Sequence, residues 1–388
     1  MAEIPVSLDQ VQRALVIKLR HHGDVLLTSP VFSVLKAAAP HCEIDALVYA
    51  DTAPMLEDHP AIAQIHGIDR QWKQQGGLAQ LSAEWGLLQT LRGRRYDLIV
   101  HLTEHRRGAW LARLLKPRWA VAPRVRGRGD FWRNSFTHFT FHPGNALRHT
   151  VEANLDALRR IGIHPGVDER RLTMVPGAVA EARVTTLLRE HGVAAGSFIH
   201  LHPGSRWQFK CWPAERSAAL IDALHGEGHV VVLTAAPGRQ EGELLAAIKA
   251  RCAVAPVDLS GQLSLRELAA LTARARLFVG VDSAPMHIAA AMNTPVVALF
   301  GPSGEHQWGP WMVSHRVVTT SHKCRPCGID GCGGSKVSDC LTTLPVERVL
   351  VACWDLLMSS APEPSGHAAR LREPPSVIST STGWGKDA

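Results

Sequence analysis

Three short segments of this chain carry residue types whose spacing permits chemistry on a charged, hydroxyl-bearing ligand. The first runs Lys18-Leu-Arg20-His-His22-Gly23-Asp24 and closes an apolar stretch. Gly23 lets the backbone come close to a ligand, and a carboxylate at Asp24 can take a proton from a substrate hydroxyl. An aspartate that only shapes the turn fits the spacing equally well. The second segment is His202-Pro-Gly-Ser205-Arg206-Trp-Gln-Phe-Lys210. Its hydroxyl and two cations can meet a diphosphate, whereas the plainer alternative is a solvated loop. The third spans residues 278–303, where Asp282-Ser283-Ala284-Pro285 follows an apolar run and His287 follows four residues after Ser283. That order reads as a strand, a helix opening and a second strand. A helix N-terminus at the carboxyl end of a parallel strand suits an anion, and Ser283 and His287 share a helix face. An ordinary strand–helix–strand unit gives the same pattern. Neither a GxGxxG nor a GxxxxGK[ST] motif occurs at the first turn, which argues against a dinucleotide dehydrogenase and a P-loop NTPase.

Two further features can bind something. Cys324, Cys327, Cys332 and Cys340 lie in one Gly-rich loop. Four thiols can hold a structural zinc, but the spacing departs from paired CxxC hooks, so reduced thiols or a labile disulfide are favoured over metal. Between His101 and Arg148 the chain gathers Arg106, Arg107, Arg113, Lys116, Arg118, Arg124, Arg126, Arg128 and Arg133, interleaved with Trp110, Trp119, Phe131 and Trp132. Nucleic acid, a phosphorylated lipid headgroup, a membrane surface or plain solvent can face such a segment.

The elements that must position these groups alternate. Apolar runs at 14–19, 44–49, 64–68 and 97–102 read as buried strands, with helical spacing at 29–39, 78–91 and 108–115. Residues 117–149 break the pattern and read as an irregular insertion. A helix over 151–161 and a connector over 164–175 lead to a second series: helices at 178–191, 213–225, 240–252 and 265–273, strands at 198–202, 230–234 and 277–281. Strand–helix alternation implies doubly wound parallel sheets. The expected class is α/β, with two Rossmann-like domains facing across a cleft: an N-terminal domain over 1–170 and a C-terminal domain over 171–345. A last helix over 346–360 is expected to pack back on the first domain, and 361–388, rich in Pro, Ser, Thr and Gly, to form a disordered tail.

Composition is compatible with this. The 388 residues are 46% hydrophobic and 20% charged, enough for full cores, and the net charge of +7 suits an anionic partner. No apolar run is long enough to span a bilayer, and the N-terminus lacks the pattern of a secretory signal. Cys42, Cys211, Cys252 and Cys353 are scattered, as in a reduced cytosolic protein. A cytoplasmic location is expected.

Taken together, HHGDVLLTSP, HPGSRWQFKCWP and VGVDSAPMHIAAAMNTPVVALFGPS resemble the bacterial lipopolysaccharide core heptosyltransferases of glycosyltransferase family 9. The HGD turn and the loop HKCRPCGIDGCGG most resemble the heptosyltransferase III branch, and the likeness runs over residues 13–354. The resemblance implies a GT-B fold and an inverting, metal-independent transfer of L-glycero-D-manno-heptose from ADP-heptose to the inner core, with Asp24 as general base. It implies a donor site from Ser205, Arg206, Lys210, Glu241, Leu263, Asp282, Ser283, Ala284 and His287, with Glu241 at the ribose and Leu263 at the adenine. Arg20, His22, Arg106 and Arg124 are the acceptor-side candidates. The implied partners are the nucleotide sugar and a lipid A–core oligosaccharide, met by a monomer at the cytoplasmic face of the inner membrane, with no nucleic acid and no cofactor. Where many relatives carry Thr-Gly, this chain has Ser283-Ala284, which keeps a hydroxyl and a backbone N–H; the loop around Ser205 also differs in length. Two alternatives stay open: a GT-B transferase using another nucleotide sugar, and a non-catalytic nucleotide-sugar or nucleic-acid binding protein.

Overall fold

A computed structural model describes residues 5–74, 76–141 and 148–359. The first sheet has strands β1 (Arg13–Lys18), β2 (Glu43–Tyr49), β3 (Gln64–Ile68), β4 (Leu98–His101), β5 (Trp119–Pro123) and β6 (His138–Thr140). Around it lie helices α1 (His22–Leu26), α2 (Ser29–Ala38), α3 (Gly77–Arg94), α4 (Arg106–Leu115), α5 (Gly129–Arg133) and α6 (Thr150–Arg159). The second sheet has β7 (Phe198–His202), β8 (Val230–Leu233), β9 (Val257–Asp258), β10 (Leu277–Val281), β11 (Val296–Leu299) and β12 (His315–Val318). Its helices are α7 (Ala178–Glu190), α8 (Ala214–Gly226), α9 (Arg239–Lys249), α10 (Leu265–Thr272), α11 (Ala284–Ala291), α12 (Glu305–Trp308), α13 (Asp339–Thr342) and α14 (Val346–Ser359).

All pairings are parallel, and the strand orders are β3-β2-β1-β4-β5-β6 and β12-β11-β10-β7-β8-β9. Each order reverses once, between β1 and β4 and between β7 and β10. Ligands of open α/β sheets bind at the carboxyl ends of strands beside such a reversal. Asp24 follows β1, Lys210 follows β7 and Ser283 follows β10, so all three candidate segments border a reversal.

The strands are apolar on both faces because helices cover both. Val16, Ile44, Val100 and Val121 face one apolar cluster, while Leu15, Ile17, Leu47 and Ile99 face another. The first cluster does not stop at the domain boundary. Val25, Leu26, Val31 and Phe32 join Met286, Ile288, Ala289, Phe300 and Val313 in one buried group. Arg266 adds a tie between domains, pairing with Glu57 at 3.1 Å and with Asp58. His149 stacks on Trp311 with ring centroids 4.3 Å apart, and the Trp311 indole N–H donates to the Arg170 carbonyl at 2.7 Å.

Three expectations are corrected. Residues 117–149 are not an irregular insertion: β5, α5 and β6 lie there and complete the first sheet. These strands are five and three residues long, too short to show periodicity between Arg-rich flanks. Trp132 is buried and its indole N–H donates to the Pro123 carbonyl at 3.1 Å, so part of that aromatic content is core. The final helix does not pack on the first domain. Val349, Cys353, Leu356 and Leu357 of α14 bury against Val279, Val281, Val297 and Leu299 of the second sheet. Burying each large side chain there contributes about 1.5–3 kcal/mol. The Arg276 guanidinium donates to the Leu357 carbonyl and pins the helix end at 3.1 Å. Residues 21–24 form the opening of the short helix α1 rather than a plain turn. The expected tail over 361–388 lies outside the described residues.

Candidate functional site

The site is assembled where α1 of the first domain meets α11 of the second. Helix α11 begins after the end of β10 because Pro285 is tolerated in a first turn, and it stops at Ala291, just ahead of Asn293, which takes φ 57°. Ser283 holds the N-cap position with extended backbone, but its hydroxyl donates back to the Val281 carbonyl at 3.3 Å and does not cap. The Met286 N–H donates to the Ser283 carbonyl at 3.2 Å, Pro285 has no N–H, and among the described residues the Ser283 hydroxyl satisfies none of the first-turn donors. One turn on, His287 is buried and, among the described residues, its Nδ1 has no partner. Burial pushes its pKa down to about 4, with the Asp282 carboxylate opposing that shift. The ring is neutral near pH 7.

Gly23 shows how tightly the domains meet. A Cβ on it would lie 2.8 Å from His287 Cδ2, so only glycine fits without displacing the histidine. Asp24 is next in sequence and partly exposed in the first turn of α1. Among the described residues its carboxylate has no hydrogen bond or ion pair, yet its charge is felt by Lys18, His21 and His287. Lys18, the last residue of β1, is the group that sequence reasoning passed over. It is buried, and its ammonium donates to Asn154 Oδ1 at 3.0 Å and to the Leu102 carbonyl at 3.3 Å. Burial lowers its pKa to about 8, with Asp24 opposing. A charged residue closing the apolar run of β1 was the available signal.

On the other side, Lys210 Nζ donates to Asp282 Oδ2 at 2.6 Å and joins the loops after β7 and β10. Ser205 is buried, and its Oγ accepts from the Trp207 N–H at 3.3 Å. Glu241 opens α9, accepts from the Ala236 N–H at 2.9 Å and lies 3.7 Å from His202 Nε2. His202 is buried with its pKa lowered to about 4, so this contact involves a neutral imidazole. A Cβ on Gly204 would collide with the Glu241 carboxylate, which explains the glycine there. Ser205 and Glu241 line one cavity of about 260 Å³ with Gln208, Leu244 and Val337. Lys210 lines a second, of about 380 Å³, with Trp207, Ser303, Trp308 and Cys327. Leu263 is half-buried against the apolar clusters. Arg206 also parts from Lys210: its guanidinium meets His21 Nδ1 across the cleft at 2.9 Å.

The acceptor-side candidates lie on the carboxyl edge of the first sheet, after β1, β4 and β5. Arg20 follows β1, and its carbonyl accepts from Arg70 at 2.9 Å. His22 Nε2 meets the Asp51 carbonyl at 2.9 Å, which makes it a brace of this edge. Arg106 opens α4 after β4, and Arg124 follows β5 with its guanidinium 5.2 Å from the Phe141 ring centre.

Cys324, Cys327 and Cys332 are exposed and Cys340 is buried. Among the described residues, no group of three or more His, Cys, Asp or Glu side chains is placed to hold a metal ion. No helix among them is long and apolar enough to cross a membrane.

Comparison with known proteins agrees with this geometry. The family profile of glycosyltransferase family 9 (heptosyltransferase) matches residues 85–336. A lipopolysaccharide heptosyltransferase 3 of Escherichia coli is 38% identical over 295 residues, covering 76% of this chain and 84% of that protein. The lipopolysaccharide heptosyltransferase 3 of Escherichia coli strain K12 is 33% identical over 360 residues, 90% of this chain and 99% of that one. In structure, a glycosyl transferase of family 9 from Veillonella parvula superimposes with a TM-score of 0.78 at 25% identity, covering 92% of this chain and 99% of its own. Two doubly wound sheets meeting at a cleft, the motifs on their facing edges and these matches together show that the chain belongs to glycosyltransferase family 9, the heptosyltransferases.

Proposed function

We propose that this enzyme transfers L-glycero-D-manno-heptose from ADP-heptose to the inner core of lipopolysaccharide, with inversion at the anomeric carbon. The observation that carries this reading is the opposition of Asp24 to the α11 opening across a contact so close that residue 23 must be glycine. In the proposed reaction Asp24 accepts the proton of an acceptor hydroxyl as that oxygen attacks the anomeric carbon. The bond from that carbon to the diphosphate oxygen breaks, and ADP departs with the electron pair. Lys210 and the backbone N–H groups of Ser283 and Ala284 meet the developing charge. His287, neutral and with an Nδ1 that has no partner among the described residues, adds a polar contact to the departing group or the sugar. Glu241 serves the ribose hydroxyls, Leu263 the adenine, and Asp282 orients Lys210 and the sugar. Arg20, His22, Arg106 and Arg124 attend the phosphorylated acceptor. The names of the relatives at 38% and 33% identity support lipopolysaccharide as the acceptor and the third heptosyltransferase as the branch. With charge stabilisation assigned to protein groups, no catalytic metal is required, and a monomer working at the cytoplasmic face of the inner membrane suffices.

The test is direct. Purified protein incubated with ADP-heptose and truncated core acceptors should release ADP and add one heptose, read by mass, with transfer persisting in a chelator. Binding of ADP without turnover would leave a nucleotide-sugar binding protein. Transfer only from a different nucleotide sugar would reassign the donor.

A further inference from the structure

Helix α3 is held less firmly than its neighbours. Of its residues only Leu91 is buried. Its amino-terminal half presents Leu78, Leu81 and Trp85 to solvent at 86%, 66% and 59% exposure. Steps of three and four residues put these side chains on one stripe of the helix, and Arg92, also exposed, continues it. Helix α4 carries a matching stripe: Arg106, Trp110 and Leu114, all exposed, at steps of four. The two stripes adjoin. Arg107 of α4 pairs with Glu84 of α3, and Glu84 lies three residues after Leu81 as Arg107 lies three before Trp110. The row extends to α5, where the Phe131 ring lies 4.6 Å from Trp110 and carries the Arg113 guanidinium 4.6 Å above it.

Single exposed apolar residues are ordinary, but a contiguous row of Leu and Trp across two helices marks an interaction face. The charge around it selects the partner. Residues 77–133 hold twelve Lys and Arg against four Asp and Glu, an excess of eight that exceeds the +7 of the whole chain. Within that window Arg94 pairs with Glu43 and Asp45, Arg107 with Glu84 and Arg133 with Asp130. That leaves Arg92, Arg106 and Arg113 beside the row with no acidic partner among the described residues, and a second copy of this cationic face would be repelled. Tryptophan and leucine on a ridge rimmed by arginine match a headgroup boundary with anionic phosphates.

We infer that the α3–α4–α5 face docks on an anionic lipid bilayer. Leu78, Leu81, Trp85 and Trp110 enter the boundary between headgroups and acyl chains, while Arg92, Arg106 and Arg113 meet lipid phosphates. Because α4 starts at the carboxyl edge that also carries Asp24, docking brings the cleft to the membrane surface, which rests on the reading of a lipid-linked acceptor.

The experiment uses the full chain with vesicles of phosphatidylglycerol and phosphatidylethanolamine, and with phosphatidylcholine vesicles as the neutral arm. The protein should co-sediment with the anionic vesicles and not with the neutral ones. The L78S/L81S/W85S variant, altered only at exposed positions, should keep the wild-type melting curve and lose about tenfold or more of its vesicle partitioning. Its transfer to a delipidated, soluble core oligosaccharide should be unchanged. Wild-type partitioning in that variant overturns the proposal, as does indifference of the wild type to anionic lipid. So does a wild-type dimer that the variant converts to monomer, which would make the face a self-association surface. Vesicle binding without transfer to the soluble acceptor would sink the heptosyltransfer reading and leave the docking face standing.

Discussion

The two sheet edges that face each other across the cleft are built to opposite electrostatic plans. On the second domain the main charged groups have a fixed internal partner: Lys210 on Asp282 at 2.6 Å, Glu241 on the Ala236 N–H at 2.9 Å. On the first domain, Asp24 carries no hydrogen bond among the described residues, no acid pairs with the side chains of Arg20 or Arg106 there, and Arg124 rests on an aromatic ring. Groups aligned in advance bind a small ligand of constant charge without reorganising. Unpaired groups are free to adapt to a larger and more variable acceptor. Under the proposed function, the contrast suits donor recognition at the braced edge and proton transfer and acceptor recognition at the open one.

The strongest way to break this comparison is at Asp24. Asp24→Asn should lower transfer about a thousandfold, the range of a lost general base. ADP affinity by calorimetry should hardly move, because the braced edge is untouched; a variant with near-normal turnover removes Asp24 as the base. Lys210→Ala should act the other way. It deletes a charge-assisted contact worth about 1.5–3 kcal/mol, so ADP should bind roughly 10- to 100-fold more weakly. An unchanged ADP affinity would mean that Lys210 serves only Asp282. Replacing Arg106 and Arg124 together with Ala should raise the acceptor KM by up to about 30-fold, at roughly 1 kcal/mol per surface cation, and leave ADP binding alone. If ADP binding weakens as well, the two edges are not independent.

The smallest expected effect concerns acid. His101 lies on the first sheet, and His202 and His287 on the second domain. All are buried, and burial lowers their pKa values from 6.5 to about 3, 4 and 4. Below pH 6.5 the unfolded chain takes up protons that the native histidines refuse, so stability falls as pH drops and levels off only near the native pKa values. Each histidine should cost about 1 kcal/mol between about pH 6.5 and 5.5. His202→Asn and His101→Asn, compared by denaturant midpoints at both pH values, would each remove a share of that slope. A slope unaltered in one variant shows that its histidine is already charged or solvated in the native state.

Much of this was legible in advance because of where apolar runs stop. Asp24, Ser205 and Asp282 each come soon after a buried strand, and the carboxyl ends of parallel strands are where such sheets do chemistry. The strands β5, β6, β9 and β12 were not legible, being two to five residues long and, in the case of β6, flanked by aromatic and basic residues with no alternation. Helix α14 was visible as a helix, but a helical pattern does not say against what the helix packs. Its partner is the second sheet because Val279, Val297 and Leu299 needed cover there. Lys18 was visible as a residue but not as a buried cation, since its partners Leu102 and Asn154 lie 84 and 136 positions away.

By itself the sequence determined the alternation of strands and helices, the two-domain α/β class and the positions just past strand ends where chemistry can occur. Those depend on local periodicity and on turn residues, which are read within a few positions. Only the tertiary structure decided that Gly23 lies against His287, that Lys210 is held by a carboxylate 72 positions away, and that Arg206 reaches across to His21. These contacts follow from strand order and from how one domain is seated on the other. Both are set by burial summed over the whole interface, which no short segment encodes.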